Sequence, residues 1–92
     1  MTVRNILVTK LGAAFQPARL NIVDESGRHA GHSGARPEGE THFRIEIVSD
    51  SFRGLNRVAR ERLVHKVLSE ELRGRIHALS LALSTPEESA GG

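Results

Sequence analysis

Cysteine is absent from this chain, as are tyrosine and tryptophan, and phenylalanine occurs only three times in 92 residues. Without cysteine there is no disulfide framework, so a small fold must be held by its core, and an intracellular setting is expected. Any thiolate bound to a metal or cluster would also have to come from another molecule. The scarcity of aromatics bears on nucleic acid. Phe15, Phe43 and Phe52 are needed for packing, which leaves no platform on which single-stranded bases would stack. Nor does any apolar run approach the ~18 residues that span a bilayer, so no membrane segment is expected. Finally, there is little charge of one sign. Thirteen Lys and Arg against eleven Asp and Glu leave a formal +2 despite a pI near 9.9. Nucleic-acid binding would therefore need a local basic face.

What is present fits one domain with a modest core. Thr2 caps a helix from Val3 to about Leu11, where Val3, Ile6, Leu7 and Leu11 share a face and Gly12 supplies the stop. The acid-free Met1–Phe15 superficially resembles a transit peptide, but this apolar face reads as a structural helix. Pro17 leads into an extended run, Arg19–Asp24, with Leu20 and Ile22 alternating against polar neighbours. His42–Val48 is the clearest strand, with Phe43, Ile45 and Ile47 on one side and His42, Arg44 and Glu46 on the other. These two strands should pair as a hairpin with an enlarged loop.

Asn56 caps a second helix, predicted over Arg57–Arg73 and stopped by Gly74. Leu63, Val64, Val67, Leu68 and Leu72 form its apolar stripe, with Arg62, Lys66 and Arg73 opposite. Gly54 at the helix entry and Arg60 near the apolar side read as structural. A last strand is expected over Arg75–Leu83, with His77, Leu79, Leu81 and Leu83 on one face. Its other face is also largely apolar, which predicts a strand covered on both sides. Thr85-Pro86-Glu87-Glu88 has the form of a capped helix start, with room for one turn before a tail over 86–92 that should fray. The order helix, strand, strand, helix, strand gives an α+β fold with helices on one face of a three-stranded sheet.

The segment from Asp24 to Phe43 stands apart. It holds three of the five histidines, with four glycines and a proline, and so cannot be a regular helix or strand. A loop this long in a small domain is usually functional or disordered, and histidines in it point to an exposed metal or proton site. Nothing assembles a catalytic centre. There is no cysteine nucleophile, His29-x-x-His32 lacks the glutamate and helix of a zinc hydrolase, and Glu87-Glu88 sits on the tail. An enzyme is not expected.

Phe15-x-Pro17, Asp24-Glu25-Ser26, His29-Ala30-Gly31-His32 and Glu40-Thr41-His42-Phe43 resemble the BolA family. Val48-Ser49-x-x-Phe52-x-Gly54, Arg60-x-Arg62-x-Val64, Glu70-Glu71-Leu72 and Ile76-His77-Ala78-Leu79 extend the likeness, in order, from about residue 3 to 87. The resemblance implies an αββαβ fold like a class II KH domain, with a mixed sheet, over residues 1–85. It implies a heterodimer with a monothiol glutaredoxin that shares a 2Fe–2S cluster. The glutaredoxin cysteine and glutathione would supply sulfur, and this chain would supply His77 from the final strand and a loop histidine. His29 matches the loop ligand, with His32 as the alternative. The roles implied are iron–sulfur trafficking or iron and redox regulation, in a bacterial cytoplasm or, alternatively, a mitochondrial matrix. Alone, the chain would be a monomer or weak homodimer.

Clusters with two histidines on one iron have raised potentials, and histidine ligation makes them acid-sensitive. His42 reads as mainly structural and His65 as solvated. The family's reported transcriptional roles keep a second reading open, with DNA held by Arg62, Lys66 and Arg73. Against the usual KH mode, no Gly-x-x-Gly loop is present. The chain also departs from the family in having Arg60-Glu61-Arg62 where Arg-His-Arg is frequent, and Ser89 where an aromatic often follows the closing turn.

Overall fold

A computed structural model describes residues 2–25 and 41–91. Helix α1 spans Val3–Phe15, and the Thr2 hydroxyl accepts from the Asn5 N–H at its start. Strands β1, Arg19–Asp24, and β2, His42–Val48, match the residues predicted for them. A single 3₁₀ turn follows at Asp50–Phe52. Helices α2, Arg57–Val67, and α3, Ser69–Arg73, then lead to β3, Ala78–Ser84, and a short α4, Pro86–Gly91. The sheet order is β1-β2-β3, with β1–β2 antiparallel and β2–β3 parallel. This is the mixed three-stranded α+β fold expected.

Period-two alternation sets the core. Ile22, Phe43, Ile45 and Ile47 point to the helical side, where they meet Val3, Leu7, Leu11 and Phe15 of α1 and Val64 and Leu68 of the α2–α3 segment. Asn21 pairs with Glu46 and Val23 with Arg44 on the opposite face, which stays largely exposed.

Four sequence expectations need correction. Helix α1 does not stop at Gly12. It continues to Phe15, which is buried with its ring 5.1 Å from that of Phe52, and Gln16 takes the left-handed position at φ 43°. Burying Phe15 outweighs the ~1 kcal/mol that glycine costs within a helix. The predicted single helix over 57–73 is interrupted at Leu68, where φ is −101° and ψ 19°. Beyond the break, Glu71 of α3 meets Lys10 of α1 at 2.8 Å. Leu63 does not join the apolar stripe and is 37% exposed, whereas Val64 and Leu68 are fully buried. Strand β3 is an edge strand covered on one face only. Leu79, Leu81 and Leu83 are half-buried, while Ala78, Ser80 and Ala82 are exposed. Its second face reads as apolar only because its residues are small, and they are exposed.

The chain beyond Thr85 forms more than one turn. Thr85 and Glu88 make a reciprocal cap: the Glu88 N–H donates to the Thr85 hydroxyl and the Thr85 N–H to the Glu88 carboxylate. Arg60 docks this cap to the body. Its guanidinium donates to Glu88 at 2.7 Å and to the carbonyls of Leu55 and Leu83, and lies 5.9 Å over the Phe52 ring. The Arg60 bond, followed by the Thr85 N–H, lowers the Glu88 carboxyl from an ordinary 4.5 to about 2. A depressed carboxyl stabilises the fold fully above its unfolded pKa, and that contribution disappears as pH falls through the folded value. Acidification from about 4.5 to about 2 should therefore release α4 first. Loss of amide protection at residues 87–91, measured against the intrinsic exchange rate at each pH, is the expected result, and Glu88→Gln should weaken its pH dependence, leaving the part that Glu87 contributes through Arg53.

Candidate functional site

Three segments meet at the end of the sheet where β2 and β3 begin. The Glu25 N–H, just after β1, donates to the His42 carbonyl at 2.7 Å. The Thr41 carbonyl accepts from the His77 N–H at 2.7 Å and from the Ala78 N–H at 3.2 Å. The parallel register then sets His42 opposite Ala78. As a result the His42 and His77 imidazoles lie side by side, with centroids 6.1 Å apart and planes inclined by 56°. His77 is exposed, His42 half-buried, and Thr41 completely buried. The His42 ring is held from its Nδ1, which shares a hydrogen bond of 2.8 Å with the Thr41 hydroxyl.

His77 therefore stands just outside β3, on a bend, rather than on the leucine face that alternation assigned to it. What the sequence did not reveal is that His42, read as mainly structural, stands beside His77. Alternation put it on the open face of β2, but its neighbour depends on the β2–β3 register, which no local pattern specifies. Pairing Phe43 with Leu79 as facing core residues would have provided the signal.

The predicted loop ligands His29 and His32 lie outside the described residues. Chain length bounds their reach. His29 stands four residues beyond Glu25, a tether of at most about 14 Å, and His32 seven, about 25 Å. Either tether starts beside His42 and His77. Among the described residues, no three His, Asp or Glu side chains converge on a possible metal position. His42 and His77 bring two imidazoles together, fewer than a metal site needs by itself.

The predicted basic positions lie on the helices rather than on the strand starts that form this corner. Arg62 and Lys66 are exposed one turn apart on α2, while Arg73 lies beyond the Leu68 break on α3. None of the three forms an ion pair with a described residue, unlike Arg57 with Glu61 or Arg60 with Glu88. Exposed His65 lines a shallow groove with Arg57, Glu61 and the start of β3. No helix among the described residues is long and apolar enough to cross a membrane.

Comparison with known proteins gives a consistent result. Residues 11–88 match the family of BolA-like proteins. Chloroplastic BOLA1 of Arabidopsis thaliana is 49% identical over 82 residues, covering 87% of this chain and 51% of that one. The Escherichia coli protein named DNA-binding transcriptional regulator BolA is 42% identical over 91 residues, covering 99% of this chain and 83% of that one. The chain thus spans about half the length of some curated relatives and most of others. The solved structure of BolA1 from Arabidopsis thaliana superposes with a TM-score of 0.86 at 42% identity, over 96% of both chains.

Proposed function

The chain belongs to the BolA-like protein family, and from that premise we propose that it is a non-enzymatic accessory protein that partners a monothiol glutaredoxin. In the pair it contributes imidazole ligands to a shared 2Fe–2S cluster. The observation that carries this reading is the placement of His77. It is exposed, anchored through its backbone to Thr41, and beside His42 at the point where the histidine-bearing segment leaves the sheet.

The donor chemistry supports the reading. A chain with five histidines and no cysteine can supply imidazole nitrogen but no thiolate, so the thiolates of a mixed set would come from the glutaredoxin and its glutathione. His77 and a loop histidine, His29 or His32, would hold the group from this side. Bound there, it would supply one-electron redox chemistry. The work of this chain is to present neutral imidazoles in fixed positions. The Thr41 carbonyl fixes the His77 backbone, and the β2–β3 ladder keeps that carbonyl in place.

The exposed cations Arg62, Lys66 and Arg73, which form no ion pair with a described residue, favour a second reading in which the α2–α3 surface contacts duplex DNA. The relative named as a DNA-binding regulator supports it. One experiment separates the two. The chain is mixed with a cluster-bearing, glutathione-loaded monothiol glutaredoxin while visible absorption and circular dichroism are recorded. A spectrum that changes and saturates at one-to-one stoichiometry is expected. An unchanged spectrum would overturn the first reading. Salt-dependent duplex binding that is lost on neutralising Arg62, Lys66 and Arg73 would then establish the second.

A further inference from the structure

Thr41 is a polar residue with no exposed surface, so each of its polar groups needs a partner within the protein. The partners it finds are both histidines of the site. Its carbonyl accepts from the His77 N–H, and its hydroxyl shares a hydrogen bond with His42 Nδ1. No buried side-chain nitrogen or oxygen among the described residues lacks a partner, and this hydroxyl is satisfied by His42. The His42 ring then lies 6.1 Å from the His77 ring, within the range at which inclined rings interact. One buried threonine thus fixes the backbone of His77 directly and its ring surroundings through a second imidazole. An exposed histidine has two side-chain torsions to order when it binds a metal. A fixed neighbouring ring removes part of that freedom in advance.

We propose that Thr41 and His42 are positioning residues for His77, with Thr41 orienting the His42 ring and the His42 ring limiting where the His77 imidazole can go. The inference rests on the reading of His77 as a cluster ligand. Neither residue needs to touch the cluster. Their effect is on the geometry and affinity with which His77 does so.

The test uses the full chain mixed with cluster-bearing, glutathione-loaded glutaredoxin, reading complex affinity, the visible circular dichroism of the cluster and its reduction potential. Thr41→Val removes the hydroxyl at nearly constant shape, Thr41→Ser restores it, and His42→Ala removes the ring. The valine and alanine variants should each weaken the complex about tenfold to a hundredfold and shift the dichroism and potential, and serine should behave as the parent. Because Thr41 acts through His42, the Thr41→Val, His42→Ala double variant should be no weaker than His42→Ala alone. Additive losses, or parental spectra and affinity in both single variants, would overturn the inference. Should Thr41→Val fail to fold, the half-exposed His42→Ala decides alone by whether the spectrum shifts. His77→Ala tells the two failures apart. If it too leaves the spectrum unchanged, the ligand reading is what falls.

Discussion

Replacing His77 by alanine is expected to abolish the spectral change seen when the chain meets a cluster-bearing glutaredoxin, with affinity for the cluster-bearing partner falling more than about a hundredfold. Loss of a residue that merely supports a ligand already costs about 10–100-fold, so loss of the ligand itself should exceed that range. The structure makes this a clean experiment. The His77 side chain is exposed and stands outside the core, and its anchoring bond to Thr41 is made by the backbone N–H, which alanine keeps. Thermal stability should therefore change by no more than about 0.5 kcal/mol, as for other surface substitutions. His65→Ala, also exposed but on α2, should leave the spectrum untouched. In the loop, one of His29→Ala and His32→Ala should reproduce the His77→Ala result and the other should resemble the parent. If His77→Ala, His29→Ala and His32→Ala all kept the parental spectrum, the assignment of His77 and a loop histidine as ligands would be overturned.

The reasons why some elements were legible and others were not are physical. β2 could be read because Phe43, Ile45 and Ile47 alternate strictly with His42, Arg44 and Glu46, a pattern only a half-buried strand satisfies. The caps at Thr2, Asn56 and Thr85 were equally local, and each makes the backbone bond its side chain suits. Gly12 misled because a glycine stop is only a local preference, and the burial of Phe15 three residues later is a tertiary gain. The stripe over Leu63–Leu72 was drawn on one ideal helix, so it could not register the break at Leu68 or the exposure of Leu63. Small residues hid the edge position of β3, since alanine counts as apolar whether or not anything packs on it. The assembly of the candidate site was only partly legible. His77 was proposed through resemblance, whereas its closeness to His42 follows from a parallel pairing of residues 36 positions apart in sequence.

That pairing can be tested through the core residue that supports it. Phe43 is 2% exposed and stands between Asp24 of β1 and Leu79 of β3, immediately after His42. Phe43→Ala should cost about 3–5 kcal/mol, the range for emptying a buried aromatic site. Against the 5–15 kcal/mol typical of a whole domain, this is a large share. For a chain of this size it corresponds to a fall in melting temperature on the order of 20 °C. Arg44→Ala, one residue on and on the open face, should stay within about 0.5 kcal/mol of the parent. Such a contrast between adjacent positions is what the register demands, since a slip by one residue would exchange their environments. Similar melting temperatures for the two variants would show that β2 is not seated as described. Because His42 and Thr41 are carried by the same strand start, a loosened Phe43 also releases the carbonyl that anchors His77. Loss of stability and loss of cluster complex should therefore appear together in Phe43→Ala, while His77→Ala loses the complex alone. Two variants that separate in this way would place the ligand on the surface and its support in the core.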